Sequence, residues 1–153
     1  MGKAESAGAR RERASLRIRR ASPRDHPEIE SLMHDLELAY PSMDLSCFWV
    51  AEDAGRIVGA AELKDLQDCS LLSCVGVRPD RQGSGVGKAL VEDVVRHARH
   101  DVYLYTLVPD FFRKAGFADA RRLPAGLPPR SIYGCEGCDP RRCICLVSRR
   151  DDS

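Results

Sequence analysis

No run of apolar residues in this 153-residue chain approaches the roughly 20 that a membrane-spanning helix requires. The opening stretch, MGKAESAGARRERASLRIRR, lacks the apolar core of a secretory leader, and Glu5 and Glu12 speak against an Arg-rich organellar transit peptide. Its first six residues fit the loose N-myristoylation pattern, but a frayed basic tail over residues 1–14 explains the stretch more simply. There is no internal repeat, which excludes solenoids and propellers, and no low-complexity segment. A strong charge of either sign is also missing. The formal net charge is +1, so nothing global points to nucleic acid, although residues up to Arg24 carry eight Lys or Arg against two Glu. These absences leave a cytoplasmic protein of ordinary composition, 43% hydrophobic and 31% charged, long enough for one domain with a proper core.

Cysteine is abundant: there are seven. Cys47, Cys69 and Cys74 lie in or beside strand-like apolar runs and read as small buried hydrophobes. A reducing cytosol argues against disulfides. Cys135, Cys138, Cys143 and Cys145 form a cluster spaced C-x2-C-x4-C-x-C. Four thiolates suit the tetrahedral preference of a structural Zn²⁺, Gly134 and Gly137 allow the first pair to turn inward, and Arg141 and Arg142 offset the site's charge. An unmetallated thiol cluster, or a redox pair at Cys135 and Cys138, remains open.

Periodicity organises the rest. SLRIRRA (15–21) alternates as a strand, and Ser22-Pro23 with Asp25 starts a helix that carries Ile29, Leu32, Met33, Leu36 and Ala39 and ends near Pro41. CFWVAED (47–53) and RIVGAAELKDL (56–66) form a hairpin, and SLLSCVGV (70–77) a third long strand. A helix follows at about 84–99, then a strand (101–108), a short helix (109–117) and a last strand (142–148). The order β-α-β-β-β-α-β-α-β predicts a mixed α/β sheet with helices on both faces.

Between the third strand and its helix stands RPDRQGSGVGKALV (78–91), with Gly83, Gly85 and Gly87 at alternate positions. Glycines admit positive φ and close approach, and a helix N-terminus presents unpaired N–H groups and a positive dipole end. That combination seats a phosphate. It is no nucleotide P-loop, because Gln82 stands at the first glycine and Ala89 at the magnesium-binding hydroxyl. It is no dinucleotide fingerprint either, because the spacing is G-x-G-x-G.

The loop Gln82-Gly83-Ser84-Gly85-Val86-Gly87, its place after a long strand, and FFRKAGF thirty residues on resemble the GNAT superfamily of acetyl-CoA-dependent N-acetyltransferases over residues 15–149, with 150–153 as a frayed end. The resemblance implies an α/β (α+β) fold with a mixed, mostly antiparallel sheet. It implies acetyl-CoA as co-substrate, with its pyrophosphate on the backbone from Gly83 to Lys88 and a hydroxyl from Ser84. Val75, Gly76 and Val77 would pair with the pantetheine arm, and Phe111 and Phe112 would pack near it or serve as plain core. TLVPDFFRKAGF, a Leu-Pro and CEGCDPRRC further resemble single-domain amino-acid N-acetyltransferases of the N-acetylglutamate synthase type, implying a small-molecule amine acceptor, an amino acid foremost. The acidic residue and arginine usual in the strand before the loop are replaced by Leu71 and Ser73, which weakens the case for glutamate. In the mechanism this implies, an N–H near Val75 polarises the thioester. Glu62 acts as base through a water, or is a solvent-facing strand residue; Tyr105 is the nearest acid. No partner nucleic acid or membrane is expected, and a homodimer is left open. A different class, a coenzyme A-binding regulatory module or cysteine-based metal or redox sensor on the same scaffold, is the alternative.

Overall fold

The computed structural model describes residues 16–134 and 143–150. Seven strands, β1 (Arg17–Arg20), β2 (Phe48–Asp53), β3 (Arg56–Asp65), β4 (Ser70–Val77), β5 (Val102–Thr106), β6 (Ala118–Asp119) and β7 (Ile144–Ser148), form one sheet in the order β1-β2-β3-β4-β5-β7-β6. Every neighbouring pair is antiparallel except β4 and β5. The helices are α1 (His26–Asp35), α2 (Val86–Arg96) and α3 (Pro109–Lys114). The fold is the mixed, mostly antiparallel α/β sheet that the resemblance implied.

Strand β3 is buried from Ile57 to Leu63, because helices cover both faces of the sheet. Consecutive residues point to opposite sides. Val58 and Ala51 join Val86, Leu90, Val91 and Val94 of α2 in one cluster. Ile57 and Val50 join Ile29, Leu32 and Met33 of α1 in the other. The i, i+3, i+4 spacing of those α1 residues gives it a single apolar face. At its start, the Asp25 carboxylate accepts from the Ser22 N–H at 2.7 Å, and Arg19 clasps it with two bonds of 2.7 and 3.1 Å while also bonding Glu52 at 2.9 Å.

Helix α1 stops earlier than periodicity predicts. Glu37 takes the left-handed conformation (φ 58°), and the Leu38 N–H turns back to the Met33 carbonyl at 2.8 Å. Leu36 and Ala39 therefore pack from a linker, not from a helix. That linker, running from Leu36 to β2, is laid over β3 and becomes a wall of the site. Helix α2 likewise occupies only Val86–Arg96 of the expected 84–99, because Gly85 is its left-handed N-cap. The two-residue β6 has no periodicity of its own and is held by β7, where Ala118 pairs with Val147.

Candidate active site

Strands β4 and β5 pair only at Ser70–Val102 and Leu71–Tyr103, then separate. On its other edge β4 stays laddered to β3 out to Gly59–Val77. From Leu72 onward the β5-facing edge of β4 thus opens as one wall of a V-shaped gap. A bulge sits in the same stretch: Ala60 pairs with Gly76 and Glu62 with Ser73, so β3 advances two residues while β4 advances three. Cys74 absorbs the extra residue with φ 54°, a left-handed value that costs a non-glycine roughly 1–2 kcal/mol. Its thiol donates to the Leu38 carbonyl at 3.3 Å, and burial pushes that thiol up to about 12. Gly76 leaves room here for the linker, because a Cβ would lie 2.7 Å from Leu36 Cδ1 and 3.0 Å from Leu38 Cδ1 and would push those side-chain ends aside.

The glycine loop closes the wide end of the gap. Gly83 (φ 80°) and Gly85 (φ 91°) are both left-handed, and a Cβ at Gly83 would meet nothing within 4 Å. The requirement there is conformational, since the Cβ would meet open space. Gly85 ends the loop, so the N–H groups of Val86, Gly87 and Lys88 begin α2 without intrahelical acceptors. Side chains stiffen the loop from beneath. Gln82 donates to the Val77 carbonyl at 3.0 Å, Ser84 Oγ donates to the Arg81 carbonyl, and Arg81 pairs with Asp53 at 2.7 Å. With its single proton given to Arg81, Ser84 has none left for a phosphate oxygen. The first backbone amides of α2 are the donors left without an intrahelical acceptor.

Glu62 is fully buried, which excludes the solvent-facing alternative. Its Oε1 accepts from the Tyr40 hydroxyl, its Oε2 accepts from the Asp44 N–H at 2.6 Å, and Lys64 Nζ lies 3.7 Å from Oε2. Burial raises its pKa; the Tyr40 hydroxyl, the Asp44 N–H and Lys64 pull it partly back. Ser73, its cross-strand partner, shares a short hydrogen bond with the Tyr133 hydroxyl. The Tyr40 and Tyr133 rings meet edge to face with centroids 4.7 Å apart. Burial, then the Glu62 carboxylate, lifts the Tyr40 phenol far above its ordinary range, and the nearby Ser73 hydroxyl opposes the shift.

Tyr105 lies beside this group, but its hydroxyl donates to the Pro128 carbonyl at 2.7 Å and Arg130 stands over its ring at 5.6 Å. Tyr133, from the Arg130–Tyr133 turn, supplies a phenol that bonds Ser73 at the bulge. Tyr40, Ser73 and Tyr133 escaped the reading of the sequence as polar site residues; an aromatic in the Pro- and Gly-rich LPAGLPPRSIYG was the available signal for Tyr133. Phe111 is 38% exposed at the mouth of the gap, beside Gly87 and Val77, whereas Phe112 is buried against Phe117. Cys143 is buried and Cys145 half-buried on β7; Cys135 and Cys138 lie outside the described residues. Among the described residues, no group of three or more His, Cys, Asp or Glu could hold a metal ion.

A family model described as Acetyltransferase (GNAT) domain matches residues 44–119. The chain is 30% identical over 125 residues to an amino-acid acetyltransferase of Mycobacterium tuberculosis, covering 70% of this chain and 71% of that protein. It is 31% identical over 81 residues to mouse N-acetyltransferase 8B, covering 49% of this chain and 35% of the relative. In structure it resembles N-acetylglutamate synthase from Neisseria gonorrhoeae complexed with coenzyme A and N-acetyl-glutamate, with a TM-score of 0.68 and 26% identity, over 88% of this chain and 35% of the synthase. The chain therefore spans about a third of the length of the latter two proteins.

Proposed function

This chain belongs to the GNAT acetyltransferase family, and from that premise we propose that it moves an acetyl group from acetyl-CoA to the amine of a small molecule, an amino acid foremost. One observation carries the reading: the β4–β5 gap has a bulge along its wall, and β4 leads into a glycine loop that starts α2 with N–H groups lacking intrahelical acceptors. The gap suits a long ligand with an anionic end. In this reading the pantetheine arm lies along Val75, Gly76 and Val77 as an added strand, and the pyrophosphate rests on the amides from Gly83 to Lys88. Phe111 covers the arm from the α3 side. A 3.0 Å bond from Gln82 to Val77 holds the two halves of this seat in register.

The thioester carbonyl then reaches the bulge, where the N–H near Val75 polarises it. A neutral amine attacks the carbonyl carbon, the C–S bond breaks, and coenzyme A leaves as a thiol. No carboxylate lies on β4. Glu62, opposite Ser73, is the candidate base. The names of the relatives support an amino acid as acceptor, one of them having been solved with N-acetyl-glutamate. Leu71 and Ser73 offer no positive charge for a side-chain carboxylate, so the acceptor's identity is a matter for direct assay. Cys47, Cys69, Cys74 and Cys145 are free thiols, in keeping with a reducing cytoplasm, and no described helix is long and apolar enough to cross a membrane.

Release of free coenzyme A thiol, measured over a panel of amino acids, polyamines and peptides, tests the proposal. We expect saturable turnover with one or a few free amino acids. Acetylation confined to protein N-termini or lysines would overturn the acceptor class, and absence of any turnover with coenzyme A bound would overturn the activity.

A further inference from the structure

Leu71 of β4 pairs with Tyr103 of β5, and there the parallel ladder ends. Had it continued, Ser73 and Tyr105 would be the next partners on the same face. A third residue stands between them instead. The Tyr133 hydroxyl shares its short hydrogen bond with Ser73, and the Tyr133 ring meets the Tyr105 ring edge to face with centroids 6.3 Å apart. The Tyr40 ring, 4.7 Å away, backs it from the linker side. Tyr133 thus fills the gap on the α1 face where the two strands begin to part. On the other face Leu72 and Leu104 are buried in the α2 cluster. A ligand entering from the glycine loop therefore runs out of room at the level of Ser73.

The ring is held from more than one side. Tyr105 donates to the Pro128 carbonyl at 2.7 Å, and Arg130 donates to the Cys143 carbonyl at 2.8 Å, so the turn is tied both to β5 and to the residue before β7. Gly134, left-handed at φ 69°, ends the turn and returns its N–H to the Ser131 carbonyl at 3.0 Å. Val75 lies two residues beyond Ser73, about 6–7 Å along a regular strand. The bulge shortens that distance, because three steps of β4 from Ser73 to Gly76 cover two steps of β3. Carbon atoms in contact rest about 3.5–4.0 Å apart. Between a carbonyl at the Val75 N–H and the Tyr133 ring there is room for one methyl group.

Resting on the acetyl-transfer reading above, we propose that Tyr133 is the end stop that measures the acyl group. Its ring admits a two-carbon acyl chain on coenzyme A and turns longer chains away. The methyl of an acetyl group packs against the ring. Each further methylene has to push that ring off Ser73, Tyr105 and Tyr40 together, and a packed site resists such overfilling. Tyr133 thereby sets specificity for the donor, whichever amine accepts.

The test compares wild type with Tyr133→Ala and Tyr133→Phe on acetyl-, propionyl-, butyryl- and hexanoyl-CoA. Turnover is read with the best amino acid from the thiol-release panel, and binding of each acyl-CoA alone by calorimetry. In wild type, kcat/KM should fall about tenfold or more for each methylene added to acetyl. Tyr133→Ala should flatten that series, raising hexanoyl-CoA about 10²-fold relative to acetyl-CoA in turnover and shifting the binding ratio the same way. Coenzyme A itself, which carries no acyl group, should bind wild type and Tyr133→Ala with equal affinity, as a general loosening of the site would not allow. Tyr133→Phe keeps the ring and should keep the wild-type order. Equal use of acetyl- and hexanoyl-CoA by wild type, or an unchanged ratio in Tyr133→Ala, would overturn the stop and leave acetyl transfer standing. Loss of selectivity in Tyr133→Phe as large as in Tyr133→Ala would overturn it too, by assigning the effect to the hydroxyl. A wild type that binds acyl-CoA but acylates no amine would overturn the transfer reading, and the binding ratios would still judge the stop. If Tyr133→Ala fails to fold, Tyr133→Leu, which keeps an apolar stem and shortens the ring position, decides by the same ratios.

Discussion

Gly87 and Phe111 fit so closely that a Cβ at position 87 would lie 3.1 Å from Phe111 Cζ, with Val77 Cγ2 at 3.3 Å on the other side. Position 87 is helical, and glycine in a helix interior costs up to ~1 kcal/mol relative to alanine. The site keeps glycine where helix stability alone would favour another residue. Gly87→Ala should therefore change thermal stability by no more than ~1 kcal/mol, since the helix gain offsets a clash relieved by the mobile end of Phe111. Coenzyme A affinity should fall about tenfold as the ring is pushed into the gap. Gly87→Leu should lose most binding. Calorimetry with coenzyme A beside a thermal melt separates the two effects; equal affinity in Gly87→Leu would show that Phe111 does not border the ligand.

Gly85 tests the anion seat itself. Its φ of 91° strains any side chain by ~1–2 kcal/mol, and glutamate there would bring a negative charge to the N–H groups that begin α2. Gly85→Glu should remain folded, with its circular dichroism retained, and should bind coenzyme A at least 10²-fold more weakly. Undiminished binding in the folded variant would remove the pyrophosphate from this loop.

The parts of this molecule that were legible in the sequence are those governed by local spacing. The strands around Val50, Val58 and Leu72 announce themselves by apolar runs, and the glycine loop by three glycines before a helical repeat. Linker geometry was not legible. Ala39 and Leu36 continue the helical pattern of Ile29 and Met33, yet a single left-handed residue, Glu37, turns them into a strap over β3. No periodicity reports that event. The same strap brings Tyr40 and Asp44 to Glu62, which converts a strand residue of ambiguous facing into a buried, fully bonded carboxylate. Tyr133 was hidden for a related reason: its role depends on a contact with Ser73, 60 residues away, made only when the Arg130–Tyr133 turn folds back. The acidic residue sought on β4 was absent, and the carboxylate we propose as the base lies across the ladder on β3.

Asp25 should set part of the acid sensitivity of the fold. The Arg19 guanidinium, with help from the Ser22 N–H and hydroxyl, holds its carboxyl well below the usual carboxylate range despite burial. A depressed folded pKa means that stability is fully present above the unfolded value of ~3.9 and is lost as pH falls through the folded value. Asp25→Asn should cost ~1–3 kcal/mol at pH 7, because the half-buried Arg19 and the Ser22 N–H lose their charged acceptor. Urea midpoints measured from pH 7 down to pH 2 should show a constant gap between wild type and variant above pH ~5. The gap should narrow below pH ~4. A gap that is constant across the whole range would show that the charge of Asp25 does not contribute.

Lys64 offers a signed test of which group the acid limb of the rate reports. Its Nζ, 3.7 Å from Glu62 Oε2, favours the carboxylate and so lowers a pKa that burial has raised. Replacing it by methionine keeps most of the buried stem against the Tyr40 ring, where Nζ now stands 5.2 Å from the centroid, and removes only the charge and its bond to Ser42. Without the cation, Glu62 should bind its proton more tightly still. The acid limb of kcat/KM in Lys64→Met should therefore move to higher pH by roughly one unit, the lower end of the effect of a close opposite charge. At pH 6 the variant should be slowed most, and at high pH it should approach the wild-type rate apart from any loosening of the Ser42 strap, which would appear as a pH-independent factor. A limb that stays in place, or moves to lower pH, would mean that the titrating base is not Glu62.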